Sequence, residues 1–145
     1  MSVQGIKELE KNLAKMADRY GKAVADALLI SGEMVRGTAV KSIQQQSNGK
    51  SVKRYRKGGG SYQHVTSAEN SAPNTDTGRL VSSVVVEVQD DVYVGTGVKY
   101  APHLEFGTKN MQPRPFLNPA LEQNRRKINK LIASVVAKTT DKGVK

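Results

Sequence analysis

The sequence predicts an α+β fold in which a long N-terminal helix and a C-terminal helix pack on a small antiparallel β-sheet, with a long basic loop between. Three observations predict it: an apolar stripe at helical spacing through the first 44 residues, two short valine-rich runs between residues 84 and 95, and a second helical stripe near the C-terminus.

In the first segment Ile6, Leu9, Leu13, Met16, Ala17, Tyr20, Val24, Ala27 and Leu28 recur every three or four positions. Met34, Val35, Ala39 and Ile43 continue the stripe, while Lys7, Glu8, Lys11, Lys15, Asp18, Lys22 and Asp26 mostly take the other face. An unbroken helix of this extent is about 60 Å long, more than the width of a domain of this size. A kink at Gly21, Gly32 or Gly37, or projection onto a neighbouring subunit, is therefore expected.

Residues 45–76 show no usable periodicity and are rich in Gly, Ser, Asn, Gln and Lys, with Gly58-Gly59-Gly60 reading as a hinge. The expectation is a long mobile basic loop. Order resumes at Asp76-Thr77-Gly78-Arg79-Leu80, where Asp76 or Thr77 is placed to cap a short helical turn. Val84 to Val88 and Val92 to Gly95 read as two strands joined by a tight turn at Asp90-Asp91. Val84, Val86 and Val88 share one strand face, which should be buried. Tyr100 to Phe106 fits a short helix stopped by Gly107, and Pro113 and Pro115 stiffen an extended segment around Arg114. Asn118 then caps a final helix with Pro119 at its first position. Its apolar stripe is Leu121, Ile128, Leu131, Ile132, Val135 and Val136, and residues 139–145 form a frayed polar tail.

The 145 residues suit a single domain. Only 37% are hydrophobic and 5% aromatic, with no Trp, which is lean for a compact monomer. Either neighbours complete the core or an ordered monomer carries a floppy loop. The absence of cysteine excludes disulfides and thiolate-bound metal. No apolar run is long enough to span a bilayer, and the N-terminus lacks the layout of a signal peptide, so cytoplasmic production is expected. The net charge of +10 is unevenly spread: residues 45–76 hold five basic and two acidic side chains, and residues 119–145 seven and two. Such regions either meet an anionic partner or serve as solvated surface.

No constellation for catalysis is visible. His64 and His103 are the two histidines, and His103 and Glu105 are too close in sequence to share a helix face, so no metal site is expected. Gly95-Thr96-Gly97 lacks the remaining glycines and lysine of a phosphate loop, and no Gly-x-Ser-x-Gly elbow exists. No cofactor is expected and the chain reads as a non-enzyme. Arg114, stiffened by its prolines, is either an ordinary exposed arginine or a partner for a carboxylate such as Glu105, within the subunit or across an interface. Lys50, Lys53, Arg54, Arg56 and Lys57, interleaved with Tyr55 and near Tyr62, form either a solvated run or a segment contacting nucleic acid or an adjacent protein ring. Arg125-Arg126-Lys127 reads equally as a solvated helix face.

Three groups of residues carry a resemblance: Thr77-Gly78-Arg79-Leu80 with Ser83; Val94-Gly95-Thr96-Gly97 followed by Tyr100-Ala101-Pro102 and Glu105-Phe106-Gly107-Thr108; and Pro115-Phe116-Leu117 with Pro119-Ala120-Leu121. In this order and spacing the stretch from Thr77 to Leu121 resembles the small neck and tail-completion proteins of long-tailed bacteriophages. Residues 45–76 have no counterpart in that pattern. The resemblance implies a structural virion protein at the head–tail junction, made in the host cytoplasm and assembled as a homo-oligomeric, hexameric ring. It implies other neck and tail proteins as partners and no membrane. It also implies that Tyr100, Glu105, Phe106, Arg114 and Phe116 shape the core and the subunit interface, while the basic loop reaches the DNA channel or an adjacent ring. The rival expectation is a small sequence-nonspecific DNA-binding protein, which explains the charge but not the proline-rich segment.

Overall fold

A computed structural model describes residues 4–89 and 91–141. Its architecture is α+β, with long helices at both ends of the chain and two separate two-stranded antiparallel sheets between them. The described residues group into two compact units, one of residues 32–124 and one combining residues up to 31 with those from 125 onward.

The first element, α1 (Gln4–Gln44), is helical without interruption through Gly21, Gly32 and Gly37. Gly32 has a packing use. A Cβ there would come within 2.7 Å of Val92 Cγ1 and 2.9 Å of Val86 Cγ1, so the missing side chain lets a strand pair lie against the helix.

That strand pair is β3 (Val84–Val88) with β4 (Val92–Thr96), in the register Val84 with Thr96 and Val88 with Val92. Both strands fall where the valine runs predict them. Val84 is fully buried, but the expected buried face fades along the strand, because Val86 is half-buried and Val88 is 57% exposed. Burial on this face is thus deepest at Val84 and thins toward the turn, where Val86 and Val92 still lie against α1 at Gly32. The turn closes with Gln89 donating its N–H to the Asp91 carbonyl at 2.9 Å, and Asp90 lies outside the described residues.

The main correction concerns residues 45–76. The stretch read as a structureless loop contains a second hairpin, β1 (Ser51–Tyr55) with β2 (Ser61–Val65). The glycines read as a hinge form its turn, with Gly59 and Gly60 at φ of 92° and 82° and the Arg56 N–H bonded to the Gly60 carbonyl at 3.0 Å. Left-handed φ at two successive positions is what glycine permits without steric cost.

The five-residue helix α2 (Arg79–Ser83) starts from Gly78, held at φ 76°, with no side-chain cap. Asp76 and Thr77 do not take the capping role. Helix α3 (Ala101–Phe106) ends at Gly107, also at φ 76°. There a Cβ would meet the Met111 carbonyl at 2.8 Å, so both conformation and space demand glycine. The last helix, α4, spans Leu117–Asp141; the end of the expected polar tail, residues 142–145, lies outside the described residues.

In the unit of residues 32–124, Val35, Ala39 and Ile43 of α1, Leu80, Val84, Val98, Ala101, Phe116 and Ala120 are buried. Polar links also fix α1 within it, one of them from the Thr75 hydroxyl, which donates to the Ile43 carbonyl at 3.1 Å. Arg36 Nε donates to the Val84 carbonyl at 2.9 Å, and buried Asn124 donates to Thr38 Oγ1 at 2.8 Å. The other unit is thinly buried: among its described residues only Ala27 and Ser31 are withdrawn from solvent, and Ile6, Leu9 and Leu13 are each more than half exposed.

Candidate functional site

The candidate residues from Tyr100 to Phe116 fall on α3 and the segment joining it to α4. Their arrangement differs from a Glu105–Arg114 ion pair. Glu105 Oε2 accepts the backbone N–H groups of Phe116 at 2.8 Å and Leu117 at 3.1 Å, and Oε1 accepts that of Asn118 at 2.8 Å. The first turn of a helix leaves its N–H groups without intrahelical partners, and an anion there also meets the positive end of the helix dipole. Glu105 thus caps α4 from outside the helix. Asn118, expected to cap with its side chain, contributes its backbone N–H to this arrangement instead.

Among the described residues no carboxylate lies in ion-pair range of Arg114. Its backbone N–H bonds the Leu104 carbonyl at 2.6 Å, and a guanidinium nitrogen approaches Met111 Sδ at 3.9 Å. Its Nε is buried without a hydrogen-bond partner. Phe116 is 1% exposed and belongs to the core, whereas Phe106 is 80% exposed and Tyr100 is 44% exposed. Of the five residues proposed for an interface, Phe106 and Tyr100 lie on the surface, Arg114 is half-buried, and Glu105 and Phe116 hold the fold together.

The basic candidates lie on and beside the first hairpin. The two-residue period places Val52 and Arg54 of β1 opposite His64 and Tyr62 of β2 on one face. That face is tied down by Asp76: Arg54 reaches Asp76 Oδ2 at 2.7 Å, the Tyr62 hydroxyl donates to Oδ1 at 2.7 Å, and His64 Nδ1 lies 3.7 Å from Oδ1. The Asp76 carboxylate holds the Tyr62 hydroxyl protonated, raising its pKa from the ordinary 10.0, with desolvation adding in the same direction. The outer face carries Lys53 and Tyr55, the latter 76% exposed, with the ammonium 5.8 Å from the ring centroid. Lys50 precedes the first strand, and Arg56 and Lys57 sit at its turn, Arg56 also lying over the Tyr62 ring at 5.6 Å. Arg54, though half-exposed, is therefore engaged by Asp76, while Lys53, Tyr55, Arg56 and Lys57 remain available to a partner.

Sequence reasoning missed the polar clamp under this hairpin. Asn74 accepts the Ser47 N–H at 2.8 Å and its hydroxyl at 3.0 Å. Its amide donates to the carbonyls of Ser47 at 2.9 Å, Val65 at 2.9 Å and Thr66 at 3.2 Å. One side chain joins the residues entering β1 to those leaving β2. The local signal is weak: each five-residue run has two β-formers, Val52 and Tyr55 or Tyr62 and Val65, three positions apart and so on opposite faces, and only the glycine-bearing turn between the runs points to a hairpin.

Among the described residues no group of three or more His, Cys, Asp or Glu is placed to hold a metal ion, and no helix is long and apolar enough to cross a membrane. No family model, curated protein or solved structure matches the chain.

Proposed function

We propose that this chain is a structural subunit of the head–tail junction of a long-tailed bacteriophage, acting by assembly with copies of itself into a ring that completes the tail and helps join it to the head. The observation that carries the reading is the amount of large apolar surface the chain does not cover for itself. Phe106 stands almost fully in water on α3, and Ile6, Leu9 and Leu13 repeat along one helical face of α1 with more than half of each exposed. Scattered single apolar residues need no explanation, but an aligned stripe is a feature of surfaces that meet partners, and aromatic residues are enriched in such surfaces. The motifs from Thr77 to Leu121 supply the kind of partner, through their resemblance to neck and tail-completion proteins. Glu105, Gly107 and Phe116 of those motifs have structural uses, which agrees with a pattern that preserves a scaffold.

Electron microscopy and native mass measurement on concentrated protein, and on protein mixed with purified tail tubes, test the proposal. A closed ring is expected, and Phe106→Ser should abolish it while leaving the melting temperature unchanged. Monomers alone under both conditions would count decisively against it.

One observation favours a second reading, a nonspecific DNA-binding protein: the first hairpin presents Lys53 and Tyr55 away from its anchored face and carries exposed Arg56 and Lys57 at its turn. Basic and aromatic side chains together bind phosphates and stack on bases without reading sequence. Duplex affinity falling steeply with salt, in a protein that stays monomeric beside tails, would select it.

A further inference from the structure

Beneath the first hairpin, within the unit of residues 32–124, lies a recess of about 390 Å³ whose lining includes Arg54, His64, Asp76, Arg79, Leu104 and Arg114. Its charge balance is one-sided. Three guanidinium groups line it against a single carboxylate, and that carboxylate, Asp76, is already engaged by Arg54 and the Tyr62 hydroxyl. Arg114 is the least satisfied of the three: among the described residues its Nε is buried without a partner, and a terminal guanidinium nitrogen meets only the Met111 sulfur, at 3.9 Å. A thioether is a weak acceptor, and a buried donor left unpaired is costly enough that folded chains rarely keep one. Arg79, exposed on α2, makes no ion pair with the described residues.

We propose that this recess is a docking site for the carboxylate of an acidic side chain carried by a partner polypeptide. A guanidinium offers parallel N–H donors whose spacing matches the two oxygens of a carboxylate, and both Arg79 and Arg114 line this recess. The shape argues against a nucleic acid. Duplex phosphates lie on a wide convex cylinder and are met by protruding side chains such as those of the first hairpin, whereas a side-chain carboxylate on a flexible stem enters a recess. Asp76 in the lining also disfavours a polyanion more than a lone carboxylate. The assignment rests on the recess alone and stands whether or not the chain forms a ring.

The test is an NMR titration of the ¹⁵N-labelled full chain with a capped glutamate (N-acetyl-glutamate α-amide), following the Arg114 Nε–H signal and the amides of Gly78 and Arg79. Saturable shifts of these signals are expected. Arg79→Gln should weaken binding roughly tenfold, the size of one charge-assisted hydrogen bond. Arg114→Lys, which keeps the charge but loses the fork, should weaken it comparably, and Arg126→Gln should leave it unchanged. Should Arg114→Lys fail to fold, exposed Arg79 still decides the matter. The proposal is overturned if the capped glutamate gives no saturable shift, if sodium chloride at equal ionic strength reproduces the shifts, if Arg79→Gln binds as well as the parent, or if inorganic phosphate or a short DNA duplex occupies the recess more tightly.

Discussion

The two hairpins are equal in length and pairing, yet opposite physics holds them. The hairpin of β3 and β4 is anchored by apolar contact: Val84 is buried, and Val86 and Val92 close on α1 at Gly32. The hairpin of β1 and β2 has Val52 as its one inward aliphatic residue and is anchored by polar groups, with Asp76 gripping its inner face and Asn74 clasping its two ends. Apolar anchoring uses many weak, nondirectional contacts and tolerates a local change. Polar anchoring concentrates the hold in a few directional bonds and fails abruptly when one partner is removed. Lesions in the polar anchor should therefore open β1 and β2 locally, whereas lesions in the apolar anchor should lower the stability of the whole unit.

The largest expected effect is at Gly49, just before β1. A Cβ there would overlap the Thr66 carbonyl and crowd the Ser67 backbone, and backbone cannot move aside as a side-chain tip can. Gly49→Ala should destabilise the base of the first hairpin by about 3 kcal/mol or more. Hydrogen exchange should show β1 and β2 unprotected while β3 and β4 keep their protection. Equal loss of protection in both hairpins would show that the two anchors are not separable.

Asn74→Ala comes next. It leaves the Ser47 N–H and the Val65 and Thr66 carbonyls without this partner, while the Ser47 carbonyl keeps the Gly49 N–H, costing about 2–3 kcal/mol, again confined to the first hairpin. On the apolar side, two terms oppose each other at Gly32→Ala. Helix propensity gains about 1 kcal/mol, while forcing a methyl against the stiff, branched Val86 and Val92 costs about 1–3 kcal/mol. The net is a loss of about 1 kcal/mol, read as a lower midpoint of cooperative denaturant unfolding with no local opening. A rise in that midpoint would mean that the hairpin yields at this contact.

The same contrast explains what the sequence discloses. The valine runs, the helical stripes and the stop at Gly107 are periodic or conformational signals, and each element lies where those signals put it. The polar-anchored hairpin was invisible because its hold comes from Asn74 and Asp76, 8 or more residues beyond the carbonyl or side chain each one binds. The Asp76 cap and the Glu105–Arg114 pair misled for a related reason. A short polar side chain near a helix start, or opposite charges near each other in sequence, fits several partners equally well. Only the tertiary arrangement sends Asp76 to Arg54 and Tyr62, and Glu105 to the start of α4. The interface residues divide the same way: a sequence motif does not distinguish Phe116, inside the core, from Phe106, outside it.

The smallest effect is spectroscopic and probes the polar anchor without breaking it. Asp76 favours the protonated Tyr62 hydroxyl, chiefly by accepting its hydrogen bond, so the pKa in the folded chain lies above the ordinary 10.0. The stabilisation from this bond is complete below the unfolded-state pKa and disappears as pH rises through the higher folded-state value. In alkaline titrations followed by phenolate absorbance, one of the five tyrosines should ionise late. Asp76→Asn should return it toward the others, because the amide oxygen accepts a weaker bond and carries no charge to repel the phenolate. An unshifted Tyr62 in that variant would mean that Asp76 grips the hairpin through Arg54 alone, leaving an ion pair with a half-exposed arginine as the anchor on that face.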